Sequence, residues 1–190
     1  APSAGSAKAM KLWQKEYKKA TGEDQADILR MLAKANHNEI FVDAMLLPAL
    51  SSKNKPVRIT AASEIASYRN KKYTPALLDY LLSSTDADEL ALAQSALLQV
   101  ADKETDEWVA QKIELAQSKN KIALLEILAT RRAVNYFDVV AKETTSSEAL
   151  VKEAAFNALP NVSSGSNINT LLAMLSRTEN SNELKAIQSA

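Results

Sequence analysis

Three features of the sequence predict an all-helical fold assembled from a repeated pair of helices. The first is composition: 46% of residues are hydrophobic, and only three glycines and five prolines are available for turns. Ala, Leu, Lys, Glu and Gln, the strong helix formers, fill much of the rest. The second is an internal repeat over residues 46–98, which reads LLPALSSKNKPVRITAASEIASY and then PALLDYLLSSTDADELALAQSALL. In each copy an apolar helix ends in a short polar turn, and an alanine-rich helix follows. The third is the placement of small residues. Aligning Val57 with Leu90 sets Ala61 and Ala62 over Gln94 and Ser95, and Ile65 over Leu98, so small side chains are expected where helices approach most closely.

Pro48, Pro56-Val57-Arg58, Ala61-Ala62 and Pro75-Ala76-Leu77-Leu78 carry a resemblance to the HEAT-repeat family over residues 46–98. The resemblance implies a right-handed α-α superhelix, an α-solenoid, of about five HEAT-like helix pairs that binds other macromolecules. In that family an acidic turn residue often meets the basic residue after the valine. The turn before Arg58 departs from this, reading Ser51-Ser52-Lys53-Asn54, so the usual ladder between repeats is not expected at this step.

Taken in order, the chain opens with Ala1-Pro-Ser-Ala-Gly-Ser6, a small, flexible segment that suits an interdomain linker, the new end left by signal cleavage, or a cloning remnant. Residues 7–190 are expected to form the repeat domain. A capping helix over 7–20 places Met10, Trp13 and Tyr17 on one face, three and four residues apart, with lysines around the rest. A membrane-surface or calmodulin-target segment has a similar pattern, but the narrow apolar face favours a cap over the open end of the stack.

The first pair is expected over 23–50, with Ile28, Leu29, Leu32 and Ala33, then Ile40, Phe41, Ala44, Met45 and Leu47, as core. Asn36-His37-Asn38-Glu39 resembles a capping box between its helices, and Pro48 is expected to end or bend the second. The second pair, 55–84, buries Val57, Ala61, Ala62 and Ile65, then Leu77, Leu78, Leu81 and Leu82. Thr74 is expected to cap its second helix, with Pro75 at the first helical position.

The third pair, 86–118, opens on acids suited to a helix N-terminus. The fourth, 119–143, carries Ile122, Leu125, Ile127 and Leu128, then Val134, Phe137 and Val140, around a turn of only Arg131-Arg132. The fifth, 145–177, starts at a capping box, Thr145-Ser-Ser-Glu148, with Leu150, Ala154, Ala155 and Ala158 in the spacing of Val57, Ala61, Ala62 and Ile65. A loop is expected over Pro160–Ser166. A partial sixth repeat over 181–190 matches residues 89–96 at an offset of 94, about three repeats of 31, which suggests a piece of a longer array.

Twenty-three basic residues balance twenty-three acidic ones, so there is no global field to draw in phosphate backbones, and no nucleic-acid partner is expected. Lysines 8, 11, 15, 18 and 19 and the acids between Asp86 and Glu114 read as solvated helix faces. No run nears the ~18 apolar residues of a membrane span, and no membrane partner or signal peptide is expected. The compartment is left open. Cysteine is absent, which excludes disulfides and thiolate chemistry.

Catalytic material is scarce. The single histidine, His37, falls in an expected turn, and three glycines cannot build a phosphate-cradling loop. Asp86, Asp88 and Glu89, and Glu104, Asp106 and Glu107, lack the spacing of a calcium loop. Arg131-Arg132 beside Tyr136 reads as a helix C-terminal cap. Some HEAT-like families are enzymes, among them DNA glycosylases and bilin lyases, and Trp108 with Asp106 or Glu107 is the one local echo of the former; Trp108 reads better as core.

The expectation is therefore a non-catalytic scaffold, without cofactor or metal, that binds another protein or another domain of its own chain. If the family geometry holds, Asp79, Gln111, Asp138 and Asn169, on the second helices of their pairs, lie near the contact surface. The alternatives are an accessory helical domain of a larger, extracytoplasmic enzyme and, more remotely, a nucleic-acid-acting solenoid.

Overall fold

The computed structural model describes residues 7–35 and 38–190. The expectations for the segment 1–6, Asn36 and His37 fall outside them. The described residues are helical throughout, with no strand among them, and the chain divides into two compact units, Ala1–Val100 and Ala101–Ala190.

In the first unit, α1 (Ala7–Lys19) and α2 (Gly22–Ala35) precede α3 (39–49), α4 (Lys55–Ser67), α5 (Thr74–Ser83) and α6 (Ala87–Val100). α4 is the centre of this unit: α2, α3 and α6 pack on it, and α5 packs on α6. Val57, Ala61, Ala62 and Ile65 of α4 are fully buried, as the repeat pattern requires. Alanines there let neighbouring helices come close, while Leu29, Leu32, Phe41, Leu46, Leu77, Leu81 and Leu97 fill the space between them. Ile40, expected in the core, is 65% exposed, because Phe41 and Val42 occupy the inward direction instead.

Pro48 distorts α3, which stops one residue later. The backbone widens into a π-helical stretch over Val42–Leu46, and Pro48 then sits in the first turn of the α-helical stretch Leu47–Ala49. The π turn accommodates a residue that has no N–H to donate and whose ring would crowd the preceding turn. Asn38 caps this helix by accepting from the Phe41 amide at 2.9 Å. Thr74 does not cap α5: a 3₁₀ turn, Lys71–Tyr73, precedes it, and Asn70 caps that turn by accepting from the Lys72 amide at 3.0 Å. Thr74 is fully buried and its hydroxyl has no partner.

The second unit holds α7 (Thr105–Ile113), α8 (Ser118–Thr130), α9 (Phe137–Glu143), α10 (Ala149–Val162), α11 (Ile168–Leu175) and α12 (Ser181–Gln188). Here α10 is central. It packs on α8, α9 and α12, while α7 packs on α8 and α11 on α12. Its buried set is Val151, Ala155, Phe156, Ala158, Leu159 and Val162. The expected register over this helix is thus one residue out. Val57 corresponds to Val151, the offset of 94 that also relates residues 89–96 to the end of the chain, and Leu150 is left 69% exposed. The same slip affects α6, where Ala93, Ala96 and Leu97 are buried while Gln94 is half-buried and Ser95 exposed.

Further expectations are corrected in the second unit. Val134 is 44% exposed, lying in the 3₁₀ turn Val134–Tyr136 that leads into α9. Pro160 lies inside α10, which runs on to Val162, and a capping box forms just beyond it, between Ser164 and Asn167. The Thr145–Glu148 box does not form, because the Thr145 hydroxyl donates back to the Lys142 carbonyl at 2.8 Å and Glu148 makes no side-chain cap. Trp108 is half-buried rather than a full member of the core.

Two helix ends use a left-handed residue where glycine is usual. Arg69 has φ of 49° and Arg132 has φ of 53°. At Arg132 the Ala133 amide donates to Leu128 and the Arg132 amide to Ala129, the paired bonds of a Schellman ending, with Ala133 and Leu128 both buried. An L-residue in this conformation carries a cost of roughly 1 to 2 kcal/mol. Both arginines are exposed. Arg69→Gly and Arg132→Gly are therefore each expected to raise stability by about 1 kcal/mol, read as a shifted urea midpoint at unchanged slope.

Candidate interaction surfaces

Most acidic residues of the middle of the chain are engaged within the fold. Asp86 caps α6 by accepting from the Asp88 and Glu89 amides at 3.0 and 3.2 Å, and Lys55 reaches both Asp86 and Asp88 at 2.6 and 2.9 Å. Asp102 likewise accepts from the Glu104 and Thr105 amides. Asp106 pairs with Arg131, which also donates to the Asp102 carbonyl. Arg131 thus ties the α8 C-terminus to the start of α7, beyond the local capping expected of it. Among the described residues no group of three or more His, Asp or Glu is placed to hold a metal ion.

A further enclosed ion pair lies between α4 and α6. Arg58 donates from Nε and Nη2 to the two Glu89 carboxylate oxygens at 2.7 and 2.9 Å, and from Nη1 to the Ser52 carbonyl at 2.7 Å. Tyr80 adds a hydroxyl donor to Glu89 at 3.0 Å. The side chains of Arg58 and Glu89 are 24% and 5% exposed. The Arg58 guanidinium holds the Glu89 carboxyl below the usual range, and burial, reinforced by Glu89, pushes the Tyr80 phenol up. The ladder not expected at this step is therefore present: Arg58 finds its acid one repeat further along the chain, in the next helix of the row, because the carboxylate comes from Glu89 and not from the turn before Arg58. Lys152 repeats the arrangement in the second unit, meeting Glu183 at 2.7 Å across the same sequence separation. At the equivalent Lys121 the partner is Glu143, both carboxylate oxygens at 3.1 Å.

The residues expected at a contact surface are all exposed. Asp79 lies on α5 of the first unit, and Gln111, Asp138 and Asn169 lie on α7, α9 and α11 of the second. Gln111 donates to Glu107 within its own helix at 3.2 Å. They do not line an open cleft of about 550 Å³ along α8 and α10 of the second unit. Leu150 stands exposed in that cleft with Ile122 opposite, bordered by Glu126, Glu153, Asn157 and Arg132. Sequence reasoning misses this cleft because the one-residue slip puts Leu150 in the core. The signal is present in the offset of 94, which places Val151 there instead.

No family model matches the chain. No curated protein matches it either. Among solved structures, the chain is similar to the crystal structure of an engineered protein from the Northeast Structural Genomics Consortium, at 21% identity over 95% of this chain and 94% of that one, with a TM-score of 0.53. That likeness bears on the fold alone.

No helix among the described residues is long and apolar enough to cross a membrane.

Proposed function

We propose that the chain is a non-catalytic α-solenoid of HEAT-like helix pairs that binds another protein, or a neighbouring domain, through its surface. The observation that carries this reading is the α8–α10 cleft, where a large apolar side chain stands 69% exposed among polar neighbours. A leucine surrounded by Asn, Thr and Glu places an apolar contact point within a polar rim. The row-by-row packing of alternate helices and the ion pairs that recur one repeat apart support the repeat reading. In such an array each pair touches its neighbours, and exposed positions on one row share a face. Asp79 on α5 of the first unit, and Gln111, Asp138 and Asn169 on α7, α9 and α11 of the second, are the alternative contact residues.

Display selection of peptides against the intact chain separates the two faces. Selected binders are expected to lose at least ten-fold in affinity against Leu150→Asp and to keep it against a variant carrying Asp79→Lys, Gln111→Lys, Asp138→Lys and Asn169→Lys. Loss only in the four-site variant moves the contact to the second helices. Selection that yields no binder sensitive to either variant overturns the reading.

A further inference from the structure

We infer that α1 is an electrostatic docking helix for an anionic lipid surface. Lys8, Lys11, Lys15, Lys18 and Lys19 are all exposed. At 3.6 residues per turn they fall within an arc of about 100° and span about 16 Å along the helix. Their opposite face is committed: Ala9 is buried, Trp13 and Tyr17 are half-buried, burial pushes the Tyr17 phenol up, and the Gln25 amide donates to the Tyr17 carbonyl at 3.1 Å. The helix thus lies on the first unit with its lysines turned outward. Leu12, 59% exposed, borders the stripe.

The charge of the stripe is uncompensated. Lys19 meets Glu16 at 2.7 Å, and Lys8, Lys11, Lys15 and Lys18 have no acidic partner among the described residues. Lysines and arginines elsewhere are engaged instead: Lys55 with Asp86 and Asp88, Arg58 with Glu89, Arg131 with Asp106, Lys121 with Glu143, Lys142 with Glu114.

The residue types choose among polyanions. Lysine is depleted at protein–protein contacts, where aromatic residues and arginine anchor, and the stripe has neither. Nucleic-acid strands are gripped by stacking aromatics and forked arginines; the two aromatic residues of α1 face inward. A flat bilayer of anionic headgroups needs only point charges that reach one plane together, and Leu12 at the edge can settle into the headgroup layer. Each lysine brought to such a surface raises affinity roughly five-fold, so the four unpaired ones together give several hundred-fold, within a range of about 10 Å at 0.1 M salt.

Vesicle co-sedimentation tests this with the full chain. Vesicles containing one-third phosphatidylserine are expected to bind it at low salt and release it at high salt, while pure phosphatidylcholine vesicles do not bind. Lys11→Glu with Lys15→Glu and Lys18→Glu is expected to abolish binding with the circular dichroism unchanged; the corresponding glutamine variant, which only neutralises, is expected to weaken it at least fifty-fold. Phosphatidylserine binding that is absent, or unaltered in both variants, overturns the proposal. So does tighter binding to a single-stranded polynucleotide than to the vesicles, which would assign the stripe to nucleic acid. None of these readouts depends on Leu150.

Discussion

Replacing Arg58 with methionine is expected to lower stability by about 3 to 5 kcal/mol, because it strands the Glu89 carboxylate in the contact between α4 and α6. That is a large share of the ~5 to 15 kcal/mol typical of a folded domain. The neutral variant Glu89→Gln is expected to cost less, since an amide can still accept from Arg58 and Tyr80. Arg58→Met combined with Glu89→Leu is expected to recover most of the loss, because no charge then remains buried. Urea unfolding of the two single variants and the double variant checks all three values.

The same pair sets a pH dependence whose sign reverses in the variant. In the wild type the folded-state pKa of Glu89 lies below its ordinary value of 4.5. Its contribution to stability is therefore complete above about pH 4.5 and is lost as pH falls through the depressed folded value. In Arg58→Met the carboxylate is buried without its cation, and burial then raises its pKa. Lowering the pH from 7 towards 5 is expected to stabilise that variant and to leave the wild type unchanged.

Phe156→Ala is expected to cost about 3 to 5 kcal/mol, the usual range for emptying a buried aromatic site. Leu150→Ala, six residues earlier on the same helix, is expected to stay within about 0.5 kcal/mol, because its side chain already stands in water. The contrast fixes the register of α10. Reversed magnitudes would restore the phase that a direct alignment of Leu150 with Val57 suggests.

That phase is where sequence reasoning is weakest. The helices themselves are legible: the pattern predicts the second pair over 55–84 and its helices run over Lys55–Ser67 and Thr74–Ser83, and α8 stops at Thr130, just before the predicted Arg131-Arg132 turn. Their apolar spacing and flanking turn residues define them locally. A one-residue phase, however, is decided by which side of an alanine-rich helix its neighbours cover. Ala154 and Ala155, or Ala93 and Ser95, are too alike in size to settle it. Pro160 misleads for a different reason. It is absorbed by the end of a well-packed helix, so tertiary packing outweighs a local break. Arg58–Glu89 is hidden because its partner lies a full repeat away, while the turn beside it offers none. Of the surface, Asp79, Gln111, Asp138 and Asn169 lie outside as the pattern predicts, whereas Leu150 is misplaced by it.

Small-angle X-ray scattering of the intact chain in solution tests the solenoid reading most directly. A compact domain of this length has a radius of gyration of about 16 Å. Helix pairs stacked side by side at ~10 Å spacing give an elongated particle with a value on the order of 19 Å. The larger radius, with an elongated distance distribution, is the expected result. The smaller radius, with a symmetric distribution, would contradict the array, and with it the proposal that the rows of helices form continuous binding faces.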